Sequence, residues 1–163
     1  MPLIEVSCSL KFDTTQDQWI MPGDYQIVRF PFEPIESSDI YDLHPKVQPD
    51  TSGSITLASQ RAGLIWPKHE QWATLWGLLY WADGDYTEVR DRFVRDPLNL
   101  SSGFDSTCTE DHASTPGGQY IAKSWAAKVY PGMPWALMVR HNSPDPVKLD
   151  FAEFKMIYSV WED

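Results

Sequence analysis

Four histidines, His44, His69, His112 and His141, are the side chains of this chain best suited to hold a transition metal or to move a proton near neutral pH. No two of them stand two or four residues apart, the spacing that places two imidazoles on one face of a strand or helix. They are therefore expected as solvent-exposed turn residues, and no metal ligand is assigned. The segment TCTEDH, residues 107 to 112, gathers a thiol, two carboxylates and an imidazole. Oxygen and nitrogen donors at such close range can hold a cation, so residues 108 to 112 are where a metal would be sought first. Between two turn signals, the simpler expectation is a hydrated acidic loop. Asp83-Gly84-Asp85 is a fragment of a calcium loop and equally a turn before a strand.

No nucleophile elbow, phosphate loop or dinucleotide fingerprint occurs. Catalytic residues and cofactors are assigned as none, and the chain is expected not to be an enzyme. In the run DYTEVRDRFVRDP, Arg90, Arg92 and Arg95 alternate with Asp91 and Asp96. Arginine is the cation favoured at interfaces, so these three are candidate partner contacts, while a charged strand edge that discourages aggregation explains them equally.

The elements that would position these residues are set by length and patterning. The 163 residues carry 23 acidic against 13 basic side chains, a net charge of -10, which repels phosphate backbones and argues against a nucleic-acid partner. No apolar run reaches the roughly 20 residues of a membrane span. Two cysteines are too few for a disulfide framework, and the N-terminus has no signal-peptide pattern, so synthesis in the cytoplasm without export is expected. Asn99-Leu100-Ser101 is then a chance match to a glycosylation sequon. A single domain over 1–163 is expected.

Aromatics form 13% of the chain, and 13 prolines and nine glycines punctuate it, the composition of strands and turns. Residues 2–12 alternate as a half-buried strand, and 21–32 form a second strand broken at Pro31. Residues 33–53 form a long surface excursion with a short helical turn around Ile40 to Leu43, and residues 97–118 a second polar loop. Residues 54–59 and 63–67 are short extended pieces, and 85–97 is either a strand or a charged helix. HEQWATLWGLLYWADG, residues 69–84, fits both periods. Gly77 in its middle would cost a helix about 1 kcal/mol, so a central strand apolar on both faces is expected, its second face covered by another layer or subunit. WALMVRH, the turn HNSPDP and VKLDFAEFKMIYSVW close the chain, with Ala152, Phe154, Met156, Tyr158 and Val160 on one face. The fold class is all-β, a two-sheet jelly-roll sandwich.

GLIWPKHEQWATLWGLLYW, followed by PGMPWALMVRHNSPDPVKLDFAEFKMIY, resembles the tumour-necrosis-factor and complement type of jelly roll, with Leu3 to Phe12 as first strand. Glu70-Gln71 stand where that family usually carries a glycine. The resemblance implies a homotrimer and a final strand in the centre of a sheet. The acidic, Trp-rich texture is also similar to small virion proteins of tailed bacteriophages. That likeness implies a non-enzymatic virion structural protein, a capsid decoration or cementing protein, whose partners are its own copies and the major capsid protein or another virion protein. The alternative is a tail or fibre tip module binding a receptor or carbohydrate, with Tyr41 near Asp39 and Asp42 as a sugar-stacking ring. Eight tryptophans exceed what one small core needs. Trp72, Trp76, Tyr80, Trp125, Tyr158 and Trp161 are assigned to core and subunit contacts together, without separating the two.

Overall fold

In a computed structural model of the chain, residues 1–15, 18–32, 38–101, 103–115 and 118–162 are described. Part of the expected excursion, 33–37, lies outside them, as do residues 102, 116 and 117 of the second polar loop. The strands are β1 (Leu3–Phe12), β2 (Gln18–Ile20), β3 (Gln26–Ile27), β4 (Gln71–Trp81), β5 (Glu88–Arg95), β6 (Asp105–Ala113), β7 (Gln119–Val129), β8 (Trp135–His141) and β9 (Val147–Trp161). A 3-10 turn at Gln60–Gly63 is the only helical element among the described residues. Two antiparallel sheets face each other. One has the order β1-β9-β4-β7, with β2 also pairing β9, and the other the order β3-β8-β5-β6.

This is the two-sheet jelly-roll sandwich expected, and the ambiguous aromatic run is strand β4. Its alternate residues Ala73, Leu75, Leu79 and Trp81 are buried, while Trp72 and Trp76 stand on the other face with 67% and 45% of their surface exposed. Gly77 takes an inward position, where an added Cβ would meet Phe93 and the Lys123 stem at 3.4–3.5 Å, an ordinary contact distance. The core is crossed by a run of rings. Phe12 lies 5.7 Å from Phe30, Phe30 6.4 Å from Phe154 and Phe154 5.9 Å from Phe93, so β1, β9 and β5 meet through aromatic contacts. Rings at these separations add to the burial of their area. A smaller cluster of Ile27, Leu64, Trp66, Val94, Ala136 and Met138 forms a second buried group.

Several boundaries differ from the sequence expectation. Residues 54–59 are not a strand: Ser54 makes an isolated bridge to Val47, and Ser59 caps the 3-10 turn. Of residues 63–67, Ile65 bridges Trp135. In the segment 21–32 only Gln26–Ile27 is strand, and β2 precedes it. The expected helical turn at Ile40 to Leu43 is a tight turn with Asp42 at φ 54°, because the Asp39 carboxylate accepts hydrogen bonds from the Leu43 and His44 amides at 2.8 Å and offers the backbone another partner. The excursion does not stay on the surface, since Leu43, His44 and Gln48 are buried. Residues 88–95, within the segment left open between strand and helix, are strand β5. The second polar loop, 97–118, contains β6, an edge strand that pairs β5 over Glu88↔Ala113 to Arg95↔Asp105.

Candidate functional site

Among the described residues, the outer face of the β1-β9-β4-β7 sheet has no second layer of this chain over it at β4. Trp72, Trp76 and Tyr80 project from β4, and the Tyr80 ring lies tilted against that of Tyr120 on the neighbouring strand, centroids 4.4 Å apart, Tyr120 itself being 68% exposed. Trp161, 65% exposed, pairs with Leu3 at one end of the same sheet. Between the rings the floor is made of small residues, Ala122, Ser124 and Ala126 of β7 beside Thr74 and Trp76. The result is an open groove of about 630 Å³ whose lining includes Trp76, Leu78, Ala122, Ser124, Lys155 and Ile157. Lys155 is held 3.2 Å from Glu153.

The six aromatics therefore divide. Trp72, Trp76, Tyr80 and Trp161 share the outer face, whereas Tyr158 is buried and belongs to the core. The Tyr158 hydroxyl accepts from the Lys68 amide at 3.2 Å, and burial pushes its pKa up. Trp125 pairs with buried Leu75 and so holds an inward position between buried Lys123 and Ala127, yet it is 47% exposed. It marks the open edge of the sandwich. Tyr41, half-buried and packed on the core, is no free stacking platform.

The arginines lie on the other sheet and are engaged within the chain. Arg90 contacts Glu88 at 2.5 Å and Asp111 at 3.2 Å, and its guanidinium holds the Glu88 carboxyl below the usual range. Arg95 pairs with Asp105 at 3.1 Å. The Arg92 guanidinium lies between two rings, 3.7 Å from the Tyr25 centroid and 4.7 Å from that of Phe104. The Arg90 and Arg95 pairs reach β6, which explains why a run of alternating charge is compatible with a strand.

The histidines are not simply exposed turn residues. His44 is buried, stacked 4.4 Å from Phe32, with Nε2 donating to the Ala62 carbonyl at 2.7 Å, and burial lowers its pKa. His141, also buried, accepts the Ser143 amide at Nδ1, so Nε2 carries the proton it donates to the Ile20 carbonyl. Both imidazoles are occupied by contacts within the fold. His69 does lie in an exposed bend, as expected, edge-on to Tyr158.

His112 is different. On β6 it stands two residues from Glu110, so both side chains lie on one face of the strand, and across the ladder Glu110 pairs with Asp91 of β5. His112 Nε2 lies 2.9 Å from Asp91 Oδ2 and 3.6 Å from Glu110 Oε2. From the opposite sheet, Lys123 Nζ donates to Asp91 Oδ1 at 2.6 Å and to the Cys108 carbonyl. That carbonyl is aimed by a bulge: the β5–β6 register slips between Asp91 and Phe93, and Cys108 adopts φ 48°. A search for paired histidines in the sequence passes over Glu-x-His, whose signal depends on recognising β6 as a strand.

No family model matches the chain, and no curated protein matches it in sequence. Solved structures do match in shape. The Eiger TNF of S. frugiperda is 10% identical with a TM-score of 0.61, over 98% of this chain and 96% of that one. The globular domain of zebrafish complement 1qA protein is 9% identical with a TM-score of 0.61, over 98% and 100%. At such identities the likeness is one of fold, and it agrees with the jelly roll expected from the aromatic and turn pattern.

Proposed function

We infer that the protein is a non-enzymatic structural module that self-associates through the outer face of the β1-β9-β4-β7 sheet, as a homotrimer, and serves as a capsid decoration protein of a tailed bacteriophage. The observation that carries self-association is the exposed aromatic set Trp72, Trp76, Tyr120 and Trp161 on one sheet face. Large exposed apolar patches mark interaction surfaces, and Trp and Tyr dominate the energy of such interfaces. Protruding rings beside a floor of alanine and serine give a surface on which another copy can seat. The decoration role rests on the acidic, Trp-rich composition and its likeness to small virion proteins, with the major capsid protein as the surface to be covered.

The test is the solution mass by light scattering, followed by co-sedimentation with phage particles that lack the protein. A species of three chain masses that pellets with particles is expected. A monomer at all concentrations that ignores particles overturns both parts, and a trimer that ignores particles overturns the decoration role alone. The second reading, a tail or fibre tip module binding carbohydrate, draws on Trp76, which stands in the groove beside Glu153 and Lys155 as a ring against which a sugar could stack. Glycan binding by a monomer, lost in Trp76→Ala, would favour it.

A further inference from the structure

We propose that Asp91, Glu110 and His112 form a binding site for one divalent transition-metal ion of the zinc class, at the open edge of the sandwich between β6 and β7. The ligand atoms of these three residues all lie within 4.8 Å of one another. Two ligands of a tetrahedral zinc ion, each about 2.0–2.1 Å from the metal, stand roughly 3.3 Å apart, and the Nε2 separations of 2.9 Å and 3.6 Å bracket that value. Little movement is needed to place an ion among them.

The set is built and not a chance gathering of surface acids. Asp91 is fully buried, and its two oxygens face different partners: Lys123 holds Oδ1 at 2.6 Å, leaving Oδ2 turned to His112. A ligating carboxylate fixed through its other oxygen is the usual arrangement of outer contacts around a metal. The charges also suit a dication, since two carboxylates face one ammonium, and an imidazole ligates a metal through its neutral form. One imidazole with two carboxylates favours zinc, cobalt or nickel over calcium and magnesium, which take oxygen ligands. Glu110 and Lys123 also line the groove beside Trp76, which gives a fourth ligand position access to water.

All three ligands come from one chain, and the test uses the metal alone. Zinc is titrated into the purified protein by calorimetry, and cobalt binding is followed by its visible absorption. One ion per chain is expected, with the intense bands of four-coordinate cobalt. His112→Gln and Glu110→Gln, each on a partly exposed residue, are expected to weaken binding at least tenfold while the metal-free melting temperature stays near that of the parent. His69→Gln, outside the cluster, should bind as the parent does. Absence of zinc binding at millimolar concentration, binding unaffected by both variants, or calcium bound in preference to zinc would each overturn the assignment.

Discussion

Lys123 of β7 reaches across from one sheet to Asp91 of β5 in the other, Nζ to Oδ1 at 2.6 Å, and both side chains are almost wholly removed from solvent. The same ammonium donates to the Cys108 carbonyl and lies 5.0 Å from the Phe93 ring, so it joins three strands. An ion pair in this position fixes how the two sheet edges meet.

Removing one partner of a buried pair strands the other charge, which costs about 3–5 kcal/mol. Lys123→Met is therefore expected to lower the unfolding free energy by about that much in urea denaturation. The double variant Lys123→Met with Asp91→Asn should cost less than the sum of the two single changes, the signature of direct coupling. Additive losses would show that the contact does not form.

Phe154 is fully buried between Phe30 and Phe93 on the central strand β9. Phe154→Ala removes the middle ring of the run and leaves a cavity, at a cost of about 3–5 kcal/mol. Phe154→Leu keeps much of the volume and should cost clearly less. Guanidinium denaturation midpoints at unchanged slope would measure both.

On the outer face the expectation reverses. Trp72→Ser and Trp76→Ala remove exposed rings, so the stability of the isolated chain should change by no more than about 0.5 kcal/mol. Combined, they are expected to convert the trimer to monomer by light scattering. A trimer that persists in the double variant would place the contact elsewhere.

His44 supplies a pH dependence whose sign is fixed. Burial holds its folded pKa below the ordinary 6.5, so the unfolded chain binds the proton more readily. Its contribution is fully present above about pH 6.5 and is lost as the pH falls towards the folded value. The carboxyls of Asp50 and Asp96, lowered from an ordinary 3.8, act only in stronger acid. Stability measured between about pH 6.5 and 5 should thus decline in the parent and flatten in His44→Gln.

The fold was largely legible where one face of a strand is apolar. The alternation of β1, the one-sided run from Ala152 to Val160, and the Pro-Gly and HNSPDP turns around β8 pointed to the sandwich, and Gly77 with its aromatic neighbours decided β4. β6 was hidden, because an edge strand with solvent on one side and Asp91, Glu110, His112 and Lys123 on the other has no apolar period to read. The aromatic set contained the exposed face but not its division, since Trp76 and Tyr158 differ only in the parity of their positions on paired strands. Trp125 shows the limit of parity itself: its position is inward, and only the lateral end of the sandwich leaves it exposed. His44 and His141 look like turn residues in the chain, and their burial depends on carbonyls far away in sequence, Ala62 and Ile20.

The place of β9 between β1 and β4 bears on how the chain is made. β1 is the earliest of the strands to leave the ribosome, yet its ladder partner is the final long strand, through pairs such as Leu3↔Trp161 and Phe12↔Ala152. The nascent chain must carry β1 and one edge of β4 without that partner until β9 has emerged. Pairings so distant in sequence make for slow folding, roughly on the millisecond to second scale, with strand edges open to aggregation in the meantime. Folding of this sandwich is thus completed only after β9 has been synthesised, and chains stopped before it would lack the strand that joins β1 to the rest of its sheet.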